Sequence, residues 1–441
     1  MDVIVACATP WGRAAISVLR LSGPQARQVA AAVCPGPPRW VPRRASLRRA
    51  VRDGVVLDEV LVVWMPGPQS YTGEDVVELS CHGNPVVVEL LLDALVAAGA
   101  RPARPGEYTR RALENGRIDL LRAEAVSALI DATSAEGVAL ATSGLHYGLG
   151  AEVQALREDL LDLAAEVEAR LDHPGEDLGQ WSDARVVADL GRVAAQAEAL
   201  ARGWTQGRRR LYGARVALTG AVNAGKSSLF NALLGEARAL VSPVPGTTRD
   251  VVEQSLVVDG LEIRLLDTAG ERADAEPLEA EGQALGRRWT EDVDLRLIVV
   301  PLHRPLDPET LAILTRTAGQ PRLVVGTHLD QGDRGLIAAD ARVSSTTGAG
   351  VADLRAALRG RLGGESGAGA RGLLYSQRQH ALCLDVAACA RDAALALDGP
   401  AGAAVAAVEI TRALRRLSEL DGLDTTEAVL DRLFARFCIG K

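Results

Sequence analysis

Lysine is almost missing from this chain. Of its 49 Lys+Arg residues, only Lys226 and Lys441 are lysines. An ammonium is a compact point charge with rotatable donors, whereas a guanidinium is a wide, rigid fork. Both lysines are therefore candidates for sites where the fork does not fit. Aromatic residues are also scarce, at 3%, so the cores are expected to be built from Ala, Leu and Val. No apolar run reaches membrane-spanning length, and no membrane association is expected. The first twenty residues include Asp2, Pro10, Arg13 and Arg20, which is not the pattern of a secretory signal. The six cysteines (Cys7, Cys34, Cys81, Cys383, Cys389, Cys438) lack paired metal-ligand spacing and suit a reducing compartment better than a disulfide framework. Together these features predict a cytoplasmic protein. An excess of positive charge is lacking too. The net charge of −8 argues against a chain that grips nucleic acid by itself, so any RNA contact would need basic surface from a partner.

The stretch that is present and most informative is Gly220-Ala-Val-Asn-Ala-Gly225-Lys226-Ser227-Ser228. It follows the apolar run Arg215–Thr219 and leads into Leu229–Leu234, the strand, glycine loop and helix that a phosphate-binding loop requires. Glycines let backbone N–H groups close on phosphate oxygens, and the new helix turns its positive end to the same anion. The amides of Asn223, Ala224, Gly225 and Ser228 would line this cradle. Lys226 would bridge the β- and γ-phosphates, and the Ser227 hydroxyl would hold Mg²⁺.

The rest of a GTPase set follows in order. Pro245-Gly-Thr-Thr-Arg-Asp250 offers Thr248 to close a switch over Mg²⁺ and the γ-phosphate. Leu265-Leu-Asp267-Thr-Ala-Gly270 offers Asp267 to the metal through water and a free N–H at Gly270. Where GTPases usually carry Asn-Lys-x-Asp, this chain reads Thr327-His-Leu-Asp330. Asp330 can accept two hydrogen bonds from guanine. The Thr327 hydroxyl is expected to replace part of the missing amide, and His328 to cover the ring where a lysine stem usually lies, at a loss of about 1 kcal/mol. GTP is still the expected nucleotide, and the backbone of Ser344, Ser345 and Thr346 would complete the base pocket.

The surrounding pattern predicts a multidomain α/β plus all-α chain. Residues 1–118 read as mixed α/β, with strands at Val3–Ala6, Ala15–Leu21 and Asp75–Ser80, a hairpin from Val55–Leu57 and Glu59–Trp64, and a helix over Val86–Ala98. The run Arg39–Arg52 carries six arginines and reads as a solvated β surface or an RNA patch. Residues 119–208 and 373–441 are helical, with breaks expected at Gly144–Gly150, His173–Gly175 and Gly203. Residues 209–372 alternate strands and helices, as in a doubly wound Ras-like sheet. That block is either inserted into one helical domain or set between two separate ones; insertion is the expectation. Cys438, flanked by Phe437 and Ile439, reads as a packing residue rather than a nucleophile. The histidines other than His328 show no ligand spacing.

Several further segments resemble one family. Asp2–Ala6 with Ala8-Thr-Pro-Trp-Gly-Arg13, Ser70–Leu79, Arg104-Pro-Gly-Glu-Tyr-Thr109, Gly116-Arg-Ile-Asp-Leu120 and Phe437-Cys-Ile-Gly-Lys441 are similar to those of the bacterial tRNA-modification GTPases of the MnmE (TrmE) family. The resemblance covers the whole chain. It implies a homodimer formed through an N-terminal domain that binds 5-formyltetrahydrofolate or a related folate, at Arg20, Glu78, Arg117 and Lys441. Arg117 stands where the family more often has lysine. It also implies a GTPase domain inserted in the helical domain and activated by K⁺, with Asn223, Ser242, Val244 and Thr247 as K⁺ ligands and Ser227 and Thr248 on Mg²⁺. The water-orienting glutamate would be Glu279, with Glu271 the other candidate. The implied partner is the flavoprotein MnmG, and the implied task is adding an aminomethyl-type group to C5 of the tRNA wobble uridine. The competing reading is a regulatory RNA- or ribosome-associated GTPase switch; a relaxed nucleotide preference is a third.

Overall fold

The computed structural model describes residues 2–36, 40–146, 148–172, 181–235, 252–267, 293–363, 373–398, 402–435 and 437–440, without the side chains of 252, 253 and 267. The chain divides into two compact units, residues 1–127 with 415–441, and residues 128–414.

In the first unit, β1 (Val3–Cys7), β2 (Ile16–Ser22), β3 (Ser46–Arg52), β4 (Val55–Met65), β5 (Val76–His82) and β6 (Ala100–Pro102) form one sheet in the order β3-β4-β5-β2-β1-β6. Alternation along the strands sends Val3, Val5, Leu19, Leu21, Val77 and Leu79 to one face, where they pack with residues of the helices Ala26–Val33 and Pro85–Ala97. Ile4 and Ala6 point the other way, onto Tyr108. The second helix starts where the Asn84 side chain accepts from the Val86 N–H and Pro85 takes the first turn.

The expected hairpin is drawn differently in the structure. Val55–Leu57 and Glu59–Trp64 belong to the single strand β4, whose hairpin partner is β3. The turn is Asp53-Gly54, both residues at positive φ, as a two-residue hairpin loop demands. The arginine-rich run thus ends in an edge strand. Arg49 is exposed and pairs with Glu59, while Arg48 is buried with its guanidinium 4.5 Å from the Trp40 ring centroid.

In the second unit, the helix Asp183–Tyr212 packs against Ala135–His146, Gly150–Asp172 and Gln377–Asp398. The helical segments before and after the α/β block therefore lie against each other. The break expected at Gly203 does not occur. Glycine costs a helix about 1 kcal/mol, and the buried row Val186, Leu190, Val193, Ala194, Ala197 and Ala201 outweighs it. The break expected at Gly144–Gly150 is present, since one helix ends at His146 and the next begins at Gly150. His173–Gly175 lie outside the described residues.

The α/β block carries β7 (Ala214–Thr219), β8 (Val252–Val258), β9 (Leu261–Asp267), β10 (Leu295–Pro301), β11 (Arg322–Thr327) and β12 (Ala341–Arg342). Their order is β12-β11-β10-β7-β9-β8, parallel throughout except for the antiparallel pair β8–β9. Buried on both faces, β7 and β10 are continuous apolar runs, Val216–Leu218 and Leu297–Val300. Chain direction across the sheet reverses beside β7, and the crevice above that point is where such sheets bind ligands.

One position measures how tightly the helix Asp183–Tyr212 meets the segment that leads into Gln377–Asp398. A Cβ on Gly207 would lie 2.0 Å from the carbonyl oxygen of Leu374. Gly207→Ala is therefore expected to destabilise the second unit by about 1–3 kcal/mol, read as a lower urea midpoint; an unchanged midpoint would show that the contact yields freely.

Candidate nucleotide site

The phosphate-loop residues close the C-terminal end of β7 and open the helix Lys226–Gly235. Asn223 sits at φ +59° and Gly225 at φ +92°. Two left-handed residues this close curl the backbone so that successive amides share a concave side. The His328 ring packs close to it as well, since a Cβ on Gly225 would come within 3.1 Å of His328 Cε1 and the ring would have to shift. The Lys226 ammonium lies over the loop, donating to the carbonyls of Gly220 (2.7 Å) and Ala221 (3.0 Å). Ser227 and Ser228 are exposed at the start of the helix. A bare amide concavity, a helix N-terminus, one ammonium and an accessible hydroxyl fit a phosphate chain with its divalent cation.

The base motif lies at the end of β11. Thr327 is only 1% exposed, and its hydroxyl donates to the Ala224 carbonyl at 2.7 Å, with the Val300 carbonyl at 3.3 Å. A hydroxyl has one proton, and here it goes to the phosphate loop. The side chain expected to replace an amide at the base instead fastens two loops together. His328 adopts φ +58° and opens a short 3₁₀ turn, Leu329–Gln331, which the Leu329 N–H ties to Val343. Burial first, then His303 and Arg304, hold the His328 imidazole below its ordinary pKa, against the opposite pull of Asp330.

Asp330 is exposed, and its carboxylate accepts from the buried Ser344 hydroxyl at 2.6 Å. Ser344 in turn accepts from the Thr347 N–H and pairs its backbone with Ala349 and Gly348. The structure thus brings Asn223, Ala224, Gly225, Lys226, Thr327, His328, Asp330 and Ser344 into one connected region, with Ser227, Ser228, Ser345 and Thr346 in the same segments. Ser242, Val244, Thr247, Thr248, Gly270, Glu271, Glu279 and Lys441 lie outside the described residues. Asp267 closes β9, but its side chain is also outside them.

In the first unit, Arg20 and Glu78 are register partners on β2 and β5, joined by Nε–Oε1 at 2.9 Å and Nη2–Oε1 at 2.7 Å. The Arg20 guanidinium lies 5.9 and 5.8 Å from the ring centroids of Tyr71 and Tyr108, and donates to the Gly440 carbonyl at 3.3 Å. Arg117 is exposed, and its stem lies beside Gly73, two residues from Tyr71. Sequence reasoning did not single out the neighbouring cluster in which Arg111 binds Glu74, Asp2 and Glu107. These residues are far apart along the chain and show no common spacing.

Comparison with known proteins agrees with the geometry. Residues 3–117 match the family described as the GTP-binding protein TrmE N-terminus, and residues 120–438 match the MnmE helical domain. The chain belongs to the MnmE family. A Myxococcus xanthus (strain DK1622) member, tRNA modification GTPase MnmE, is 44% identical over 441 residues, covering 99% of this chain and 98% of the relative. A Synechococcus sp. (strain CC9605) member of the same name is 40% identical over 454 residues, covering 100% and 99%. Family membership accounts for both halves of the chain, the sheet carrying Arg20 and Glu78 as well as the phosphate loop.

The Ser344 hydroxyl is the main reason that the Asp330 carboxyl titrates below its ordinary 3.8. A depressed carboxyl makes its contribution above the unfolded value and loses it as pH falls through the folded one. Ser344→Ala should therefore move the acid limb of nucleotide binding to higher pH, measured by titrating nucleotide affinity downward from neutrality; a limb that stays in place would remove the hydroxyl from this role.

Proposed function

We propose that this chain is a K⁺-activated GTP hydrolase that acts with an MnmG-type flavoprotein to add an aminomethyl or carboxymethylaminomethyl group to C5 of the tRNA wobble uridine. It would do so in the cytoplasm, as a homodimer formed through residues 1–118. The helical domain would comprise residues 119–208 and 373–441, with the GTPase domain, residues 209–372, inserted in it. The observation that carries this reading is the fastening of the phosphate loop to the base turn, Thr327 to Ala224, in a chain that matches the family along its whole length.

In this reading the amides of Asn223–Ser228 bind the β- and γ-phosphate oxygens, and Lys226 exchanges its loop carbonyls for the phosphate chain. Asp330 accepts from the guanine edge while Ser344 keeps its carboxylate oriented. Thr248, Asp267 and Gly270 complete the γ-phosphate end, and Glu279, in preference to Glu271, orients the attacking water. Ser227 and Thr248 would hold Mg²⁺, and Asn223, Ser242, Val244 and Thr247 would hold K⁺; bound there, the two ions would offset negative charge on the phosphate oxygens. The paired Arg20 and Glu78, with Arg117 and Lys441, present cations and a carboxylate. They suit the charged tail and the amide-like pterin edge of a folate.

Lys226→Ala is expected to lower GTP turnover by roughly a hundredfold or more. Turnover of the unaltered chain should be faster in KCl than in NaCl; equal rates would remove the potassium assignment. Mass spectrometry of tRNA nucleosides from cells lacking the protein should show unmodified wobble uridines. Normal ones would leave the regulatory switch as the better reading.

A further inference from the structure

The loop after β10 carries a residue that the nucleotide motifs do not include. His303 follows Leu302, whose N–H binds the Thr327 carbonyl at 3.0 Å, so this loop is stitched to the end of β11. Its imidazole meets that of His328 at a centroid separation of 4.8 Å and an interplanar angle of 60°, an edge-to-face pair. The His328 ring is thereby confined on three sides. Its Nδ1 is 3.2 Å from the Thr327 hydroxyl, its Cε1 lies 3.1 Å from where a Cβ on Gly225 would stand, and His303 packs against it edge to face. The Nδ1 of His303 is buried with no hydrogen-bond partner among the described residues. The ring contact with His328 is thus a packing contact that this nitrogen does not share. Arg304, the next residue, reaches back to the Val222 carbonyl of the phosphate loop at 3.4 Å.

In this chain Thr327 has turned its only proton to Ala224, which leaves Asp330 as the side chain available to read the base edge. The face of the ring offers a further contact surface, and the His328 imidazole stands two residues before Asp330 and beside the phosphate loop. Resting on the guanine-nucleotide reading above, we propose that His303 is a positioning residue for nucleotide selection. It fixes the His328 imidazole as a rigid plate on which the purine stacks. The protein then binds the base by face through the histidine pair and by edge through Asp330. Stacking does not distinguish substituents on the purine, whereas the carboxylate does, so the two contributions separate experimentally.

The test uses the full chain and two ligands, GDP and IDP, which share the purine face but differ in the exocyclic amine at C2. Calorimetric titration of His303→Ala should show both ligands weakened equally, by roughly three- to tenfold. His303→Phe, which restores an aromatic edge without an imidazole, should recover the affinity for both. Asp330→Ala should weaken GDP more than IDP, because only GDP loses the amine contact. The proposal is overturned if His303→Ala binds both ligands normally, if it penalises GDP more than IDP, or if His303→Phe is as weak as the alanine variant. If Asp330→Ala binds GDP normally, the guanine reading itself fails, a result separate from any on His303.

Discussion

A single hydroxyl, that of Thr327, joins the two halves of the nucleotide site. The phosphate loop grows out of the central strand β7, and the base turn grows out of β11, which is two strands away in the sheet. Parallel strands hold their own ends in register but do not by themselves hold the loops above them. The Thr327–Ala224 bond spans that gap at full burial, where an unmade hydrogen bond would cost about 1–3 kcal/mol. The other local features are consistent with it. Gly225 takes a left-handed backbone with the His328 ring packed close beside it, and His328 takes a left-handed backbone where the chain turns from β11 toward Asp330.

The same economy is visible at the base pocket. Ser344 orients Asp330, the backbone of 344–349 closes on itself, and the Leu329 N–H pins the 3₁₀ turn to Val343. An exposed carboxylate is thereby held by a hydroxyl and, among the described residues, not by an arginine, which would compete with the base for it. The lysine shortage fits this arrangement, since Lys226 occupies a place where one ammonium donates to two carbonyls at a loop apex.

Much of this was legible in the sequence, for identifiable reasons. The phosphate loop and the strands that lead to it are short-range patterns: β7 contains the whole run Arg215–Thr219, and β9 ends at Asp267. The β3–β4 hairpin was misread because apolar residues on both sides of Asp58 looked like two strands, although Asp53-Gly54 is the stronger turn signal. Gly203 reads as a helix breaker because intrinsic propensity ignores the packing that overrides it. The direction of the Thr327 hydroxyl and the arrival of His303 beside His328 depend on which strands are neighbours. No local pattern carries that information.

The first unit is assembled from the two extremes of the chain. Arg110 binds Glu427 and Asp431, the Gly106 N–H binds the Cys438 carbonyl at 3.4 Å, and Gly440 lies so close to Cys7 that a Cβ there would come within 2.6 Å of its carbonyl. During synthesis the sheet of residues 1–127 therefore keeps this surface uncovered until residues 415–441 have left the ribosome. The intervening residues 128–414 can fold first, so the unit begun earlier is completed after the one begun later.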